Sequence, residues 1–256
     1  MDPRRSDADP RHYRRGFYLL PSMFTVGNMF CGYACIMFAM RGELVTAAPF
    51  IGVAVVLDML DGRIARLTNQ ESAMGLELDS LADIISFGIA PAVLAFAWGL
   101  SDLGRWGWAA GFIYLTSAAL RPARFNVQTT GQVDKRYFVG MPSPSAAGVV
   151  AATVFAWPYP QLGGRWQTFA SIAIVVIPAV LMVSTVRYRS FKTLNFGWTR
   201  AYFKIVLLAT LIAAIATEPR LTLIVLAYTY LVSPAIEMAT TRSRVHREEA
   251  PKATSP

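Results

Sequence analysis

The sequence predicts an all-α protein, a polytopic integral membrane bundle of about eight transmembrane helices with both termini cytoplasmic. Three observations predict it. Hydrophobic residues make up 54% of the 256 positions and charged residues 16%, too apolar a balance for a soluble domain. Apolar windows long enough to cross roughly 30 Å of hydrocarbon recur along the whole chain. Finally, 20 of the 24 Lys and Arg residues fall in the two tails and in alternate gaps between those windows, the asymmetry that marks cytoplasmic segments.

Taken in order, a basic tail over residues 1–16 leads directly into the first window, 18–40, which reads as an anchor rather than a cleaved leader. Its Cys31 and Cys35 lie one turn apart on that helix, where small apolar packing is expected rather than a disulfide or a metal site. The second window, 45–66, carries Arg63 and Arg66 at its cytoplasmic end, and TNQES turns the chain into the third, 73–100. The fourth, 106–124, is followed by a basic gap with Lys135 and Arg136. Pro142 and Pro144 open the fifth, 143–160, while Ser143 and Ser145 are candidates to cap it. The sixth spans 167–187, and the seventh (200–216) and eighth (219–238) are separated only by TEPR at 217–220. Residues 17–238 thus form one membrane-embedded domain, with a second polar cytoplasmic tail over 239–256. Trp98, Trp106, Trp108, Trp157 and Trp166 gather near the non-cytoplasmic boundary, as an interfacial belt would.

The formal charge of +8 does not point to nucleic acid, because it sits in short loops and tails where membrane topology and anionic lipid account for it. His12 and His246 lie in opposite tails and build no site between them.

Chemistry is concentrated in DMLDGRIARLTNQESAMGLELDSLAD, residues 58–83. Carboxylates at a membrane edge are costly enough to read as functional. At helical spacing, Asp58, Asp61, Gly62 and Ala65 share a stripe roughly 100° wide on the second helix, and Gly75, Asp79 and Asp83 share one roughly 80° wide on the third. Two acidic stripes facing each other across a short turn cannot all ionise without a counter-charge. Only oxygen ligands are offered, so the fitting cation is hard: Mg²⁺, Mn²⁺ or Ca²⁺ rather than zinc. A pair of such ions is a common means of holding a diphosphate during phosphoryl transfer. Gly62, Ala65 and Gly75 present small surfaces on the same stripes, suited either to close approach of a ligand or to tight helix packing. Glu77 places a carboxylate off the stripe.

The spacing Asp58-x2-Asp61-Gly62-x2-Ala65-Arg66-x8-Gly75-x3-Asp79-x3-Asp83 closely resembles the signature of the CDP-alcohol phosphotransferase family. The resemblance implies a six-helix core, to which two helices are added here. It also implies transfer of a substituted phosphate from a CDP-linked donor to an alcohol with release of CMP, and two divalent cations, Mg²⁺ or Mn²⁺, as cofactors. Carried onto this chain, it makes Asp58, Asp61, Asp79 and Asp83 metal ligands and Asp83 the general base. Gly62, Ala65, Arg66 and Gly75 would border the CDP group. It further suggests a homodimer.

Three other stretches look like the phosphatidylserine synthase branch of that family: LPSMFTVGNMFCG at 20–32, SLADIISFGIAPA at 80–92, and RPARFN at 121–126 followed by FVGMPSPSAAG at 138–148. The implied substrates are CDP-diacylglycerol and L-serine, in a multi-pass cell-membrane enzyme with its site at the cytoplasmic face. Thr25 and Asn28 either contact the nucleotide or serve as interhelical hydrogen-bonding groups. Ser86 either faces the acceptor or bonds back to its own helix. Arg121, Arg124 and Asn126 end the fourth helix on the site's side, where a serine carboxylate or lipid phosphate needs a planar cationic donor. Acceptors such as glycerol 3-phosphate or an inositol phosphate keep the same chemistry and are the nearest alternative. An ion-coupled transporter is disfavoured, since its acids would sit near the bilayer midplane on broken helices.

Overall fold

The computed structural model describes residues 19–68, 73–128, 137–159, 165–189 and 201–248. Eight helical rods account for nearly all of them: α1 (Leu19–Met40), α2 (Leu44–Thr68), α3 (73–103), α4 (Arg105–Gln128), α5 (Ser143–Ala156), α6 (Arg165–Val183), α7 (Ala201–Thr217) and α8 (Pro219–Glu248). Three segments are long and apolar enough to cross a membrane, Ser22–Met40, Leu44–Ile64 and Met74–Leu103, and Ser143–Ala156, Thr168–Val183 and Ile205–Thr217 are shorter apolar helices. This is the architecture of a membrane helical bundle.

One feature departs from the all-α expectation. Segments β1 (Tyr137–Val139) and β2 (Arg187–Arg189) pair antiparallel, with Phe138 opposite Tyr188. The ribbon continues into Gly140, whose N–H donates to the Val186 carbonyl at 2.9 Å, and Met141, whose N–H donates to Leu181 O at 2.9 Å. Gly140 takes φ +84°, a left-handed conformation that glycine adopts without steric cost. The ribbon therefore ties the start of α5 to the end of α6. Helix α8 also continues past the expected span end at 238, because TTRSRVHRE contains neither Gly nor Pro to stop it.

The hairpin of α1 and α2 closes on Gly42 at φ +77°. The Gly42 N–H donates to Ala39 O at 3.0 Å and the Glu43 N–H to Phe38 O at 3.0 Å, the paired bonds of a glycine-terminated helix end. The two helices then pack closely. Phe38 stacks on Phe50 with centroids 5.4 Å apart, and a Cβ on Gly27 would lie 3.3 Å from Leu57.

Helix α3 carries two widened turns and is kinked within the second, at Gly99, whose φ of 172° and ψ of −7° are not helical. Ala90 N–H reaches back to Ile85 O and Ser101 N–H to Phe96 O, each one residue further than the α-helical partner. The first precedes Pro91, which has no N–H to offer Phe87 and whose ring would crowd that carbonyl in a regular turn. In this turn α3 meets its neighbours. Gly32 of α1 lies so close that a Cβ there would stand 2.6 Å from Ser86 Oγ and 2.8 Å from Ser86 Cα. Helix α5 is buried on every side, from Ala146 and Val150 to Val154, as a central helix must be. Helix α8 packs along α5, and Thr153 Oγ1 lies 3.0 Å from Tyr228 Oη.

Cys31 and Cys35 are buried free thiols within this core, as expected. Trp106, Trp108 and Trp157 are exposed, in keeping with a belt, whereas Trp98 faces the protein interior. It is buried and its indole N–H donates to Trp157 O at 2.6 Å, so this tryptophan packs α3 against the end of α5.

Candidate active site

Four carboxylates are delivered to one place by two helix ends. Asp58 and Asp61 lie near the end of α2, Asp79 and Asp83 near the start of α3, and the i,i+3 and i,i+4 spacings keep each pair on one face. One oxygen each from Asp58, Asp61 and Asp79 come within 4.8 Å of one another. Asp83 stands beside this trio, with its carboxyl in hydrogen-bonding reach of Asp58.

Among the described residues, the surroundings do little to balance the charge. Asp61, only 5% exposed, accepts a hydrogen bond from Thr25 Oγ1 at 3.2 Å. Asp79 Oδ1 and Asp83 Oδ1 are buried and accept no hydrogen bond. Among the described residues, a nearby cation is Arg121 of α4, which acts on both Asp58 and Asp83, yet its own Nε is buried without an acceptor. Buried acids with unspent oxygens, all of them hard ligands, fit a divalent cation. Asp58, Asp61 and Asp79 are the residues that would hold it, with Asp83 at the edge.

The other expected site residues are placed as follows. Thr25 is interhelical in its bond to Asp61, while Asn28, fully buried, has an amide whose oxygen and nitrogen both lack hydrogen-bond partners. Its main-chain carbonyl instead accepts from Ser86 Oγ at 2.9 Å. Ser86 therefore does not bond back to its own helix but joins α3 to α1. Gly62 and Gly75 are half-buried on the acidic faces. The side chains of Ala65, Arg66, Arg124 and Asn126 lie outside the described residues, although all four positions are helical. Glu77 is exposed and takes no part in the acidic cluster.

Sequence reasoning missed a residue on α8. Tyr230 is an electrostatic neighbour of Arg121 and shares a hydrogen bond with Ser145 of α5. Ser145 thus bonds a distant helix rather than capping its own, and no side chain caps the start of α5. No local pattern around Tyr230 marks it, because its partners lie on other helices.

Comparison with known proteins agrees with this geometry. The sequence model described as CDP-alcohol phosphatidyltransferase matches residues 18–187, which include all four aspartates and Arg121. The CDP-diacylglycerol–serine O-phosphatidyltransferase of Helicobacter pylori (strain ATCC 700392 / 26695) is 38% identical over 192 residues, covering 75% of this chain and 79% of that protein. The protein of the same name from Mycobacterium leprae (strain TN) is 35% identical, over 83% of this chain and 72% of its own. Archaetidylserine synthase of Methanothermobacter thermautotrophicus is 32% identical, over 67% and 70% respectively. With a membrane helical bundle, an oxygen-only cluster of aspartates at the junction of α2 and α3, and a family match across most of its length, this chain belongs to the CDP-alcohol phosphatidyltransferase family.

Proposed function

We propose that this protein is a membrane transferase that moves the phosphatidyl group of CDP-diacylglycerol onto the hydroxyl of L-serine, giving phosphatidylserine and CMP. The observation that carries the reading is the aspartate cluster with Asp83 and Arg121 beside it, in a chain whose relatives bear serine-transferring names. The bacterial and archaeal names differ in the lipid and share serine, which supports serine as the acceptor.

In this reading Asp58, Asp61, Asp79 and Asp83 hold two divalent cations, Mg²⁺ or Mn²⁺, which when bound neutralise the donor diphosphate and the departing CMP phosphate. Thr25 orients Asp61 through its hydroxyl. Asn28, whose buried amide is unspent, reads the CDP group together with Gly62, Ala65, Arg66 and Gly75. Asp83 takes the proton from the serine hydroxyl, the serine oxygen bonds to the β-phosphorus, and the bond from that phosphorus to the bridging oxygen breaks to release CMP. Arg121, with Arg124 and Asn126 on the same helix, receives the serine carboxylate or the lipid phosphate, and Ser86 borders that pocket from α3. The acyl chains stay in the bilayer while serine arrives from the cytoplasm, so the enzyme is a multi-pass cell-membrane protein with its site at the cytoplasmic face. A homodimer completes the assignment.

The test is direct: purified protein with CDP-diacylglycerol, labelled serine and Mn²⁺ or Mg²⁺ should yield phosphatidylserine and an equal amount of CMP. CMP release that depends on glycerol 3-phosphate or an inositol phosphate, with none on serine, would reassign the acceptor.

A further inference from the structure

The first widened turn of α3, Ile84–Ile89, begins on the residue after Asp83. Its position solves a geometric conflict. At regular helical spacing Asp79, Asp83, Ala90 and Leu94 would share one stripe roughly 60° wide. Yet Asp79 turns its carboxylate to Asp58 and Asp61 of α2, and Asp83 lies one turn on along the same face, whereas Ala90 and Leu94 are fully buried in the apolar core. A turn closed by Ala90 N–H on Ile85 O holds one residue more than an α-helical turn, so the rod beyond it is rotated back by about 100° relative to the acids. The acidic face and the packing face of α3 are thereby separated, and the phase between them is set in this one turn.

The turn is clamped from two sides. On α1, the Asn28 carbonyl accepts the Ser86 hydroxyl at 2.9 Å, and a Cβ on Gly32 would lie 2.8 Å from Ser86 Cα. On α4, Leu115 and Ala118 stand 3.2 and 3.4 Å from where a Cβ on Gly88 would be. Pro91, with no N–H for the Phe87 carbonyl, keeps the turn from closing in the regular way. Of these contacts the Ser86 bond is the directional one, and it fixes both the height and the rotation of the turn against α1. Ser86 itself is fully buried with its hydroxyl engaged, three residues from Asp83. We propose that Ser86 is a positioning residue for the proposed general base: its bond to α1 locks the widened turn and so holds the Asp83 carboxylate facing the aspartate cluster and the acceptor hydroxyl. The inference rests on the proposed serine-transfer reading, in which Asp83 takes the proton, and adds what keeps Asp83 aimed.

The experiment compares wild type, Ser86→Ala and Ser80→Ala as full-length protein in detergent with CDP-diacylglycerol, L-serine and Mn²⁺, following CMP release and the thermal midpoint. Ser80 is the control, since its hydroxyl also belongs to α3 but bonds back to Leu76 O at 3.0 Å within its own helix. In Ser86→Ala kcat should fall about tenfold, as for a small misplacement of a reacting group, while the KM for each substrate stays within about twofold of wild type. The thermal midpoint should stay near wild type, because alanine fits the same space and the Asn28 carbonyl keeps its place in the α1 ladder. Ser80→Ala should match wild type throughout. A wild-type kcat in Ser86→Ala overturns the inference. So does a raised serine KM at constant kcat, which marks a direct contact with the acceptor, and so does an equal fall of kcat in Ser80→Ala. Should Ser86→Ala fail to fold, Pro91→Ala takes its place: it restores an N–H for Phe87 O and lets the turn close regularly, so kcat should fall with no loss of thermal midpoint, and a wild-type kcat there overturns the inference. Wild type that turns over serine no better than Ser86→Ala leaves the serine-transfer reading standing and removes only the role of Ser86. Wild type that releases no CMP with serine fails that reading first and takes the inference with it.

Discussion

At the scale of single residues, the site is defined by oxygen atoms that protein partners leave unspent. Asp79 and Asp83 each keep a buried oxygen without a donor, and Asp58, Asp61 and Asp79 converge within 4.8 Å. Activity should therefore vanish with a chelator and return with Mg²⁺ or Mn²⁺, and full activity in chelator would sink the cation assignment. Asp58→Asn, Asp61→Asn and Asp79→Asn should each weaken both metal and nucleotide binding, measured by titration calorimetry. Asp83→Asn separates proton transfer from ligation: turnover should be lost at every pH while metal-dependent binding of CDP-diacylglycerol survives in part. Parallel loss of rate and donor affinity would make Asp83 chiefly a ligand. Arg121→Lys tests the carboxylate fork, since an ammonium cannot present two parallel donors. The serine KM should rise roughly tenfold or more and the donor KM less, from loss of a charge-assisted contact of about 1.5 to 3 kcal/mol. Mild and equal effects on both substrates would reduce Arg121 to a topological charge. The aspartates were legible in sequence because their spacing is itself the signal. Ser86 and Ser145 were not, because each hydroxyl bonds a helix distant in sequence.

Among the elements, α3 decides the geometry. Its widened turn before Pro91 carries Ser86 against α1, and the contact is tight enough that only glycine fits at position 32. Gly32→Ala would place a Cβ 2.8 Å from the Ser86 Cα, a backbone atom that cannot rotate away. We expect a loss of about 1–3 kcal/mol, read as a lower thermal midpoint in detergent, together with reduced turnover as Asn28 and Thr25 shift from the site. Gly52→Ala is the control: nothing lies within 4 Å of a Cβ there, and alanine is the better helix former. Equal stability of the two variants would remove the close α1–α3 approach from the account. The helices themselves follow from apolar windows, and their ends agree with the sequence reading to within a few residues for α1, α2 and α3. The short ribbon of β1 and β2 was invisible, because three-residue strands have no periodicity of their own and pair only when α5 and α6 bring them together.

For the whole molecule, the segregation of Lys and Arg predicts cytoplasmic termini and a cytoplasmic active site. Ser101→Cys, at the exposed far end of α3, should react with a membrane-impermeant thiol reagent in intact cells, whereas a cysteine introduced in either tail should not. The buried Cys31 and Cys35 should stay silent in both cases. Labelling of the tails but not of position 101 would invert the topology. The sequence by itself determined the class of fold, the helical windows and the acidic motif, because hydropathy, charge placement and i,i+3 or i,i+4 spacing are local and repeat at fixed intervals along the chain. Only the tertiary structure decided that Asp61 is held by Thr25, that Trp98 is buried against the end of α5, and that Ser86 joins α3 to α1. These are contacts between helices, set by how the bundle packs, and no periodicity along a single helix records which neighbour its side chains will meet.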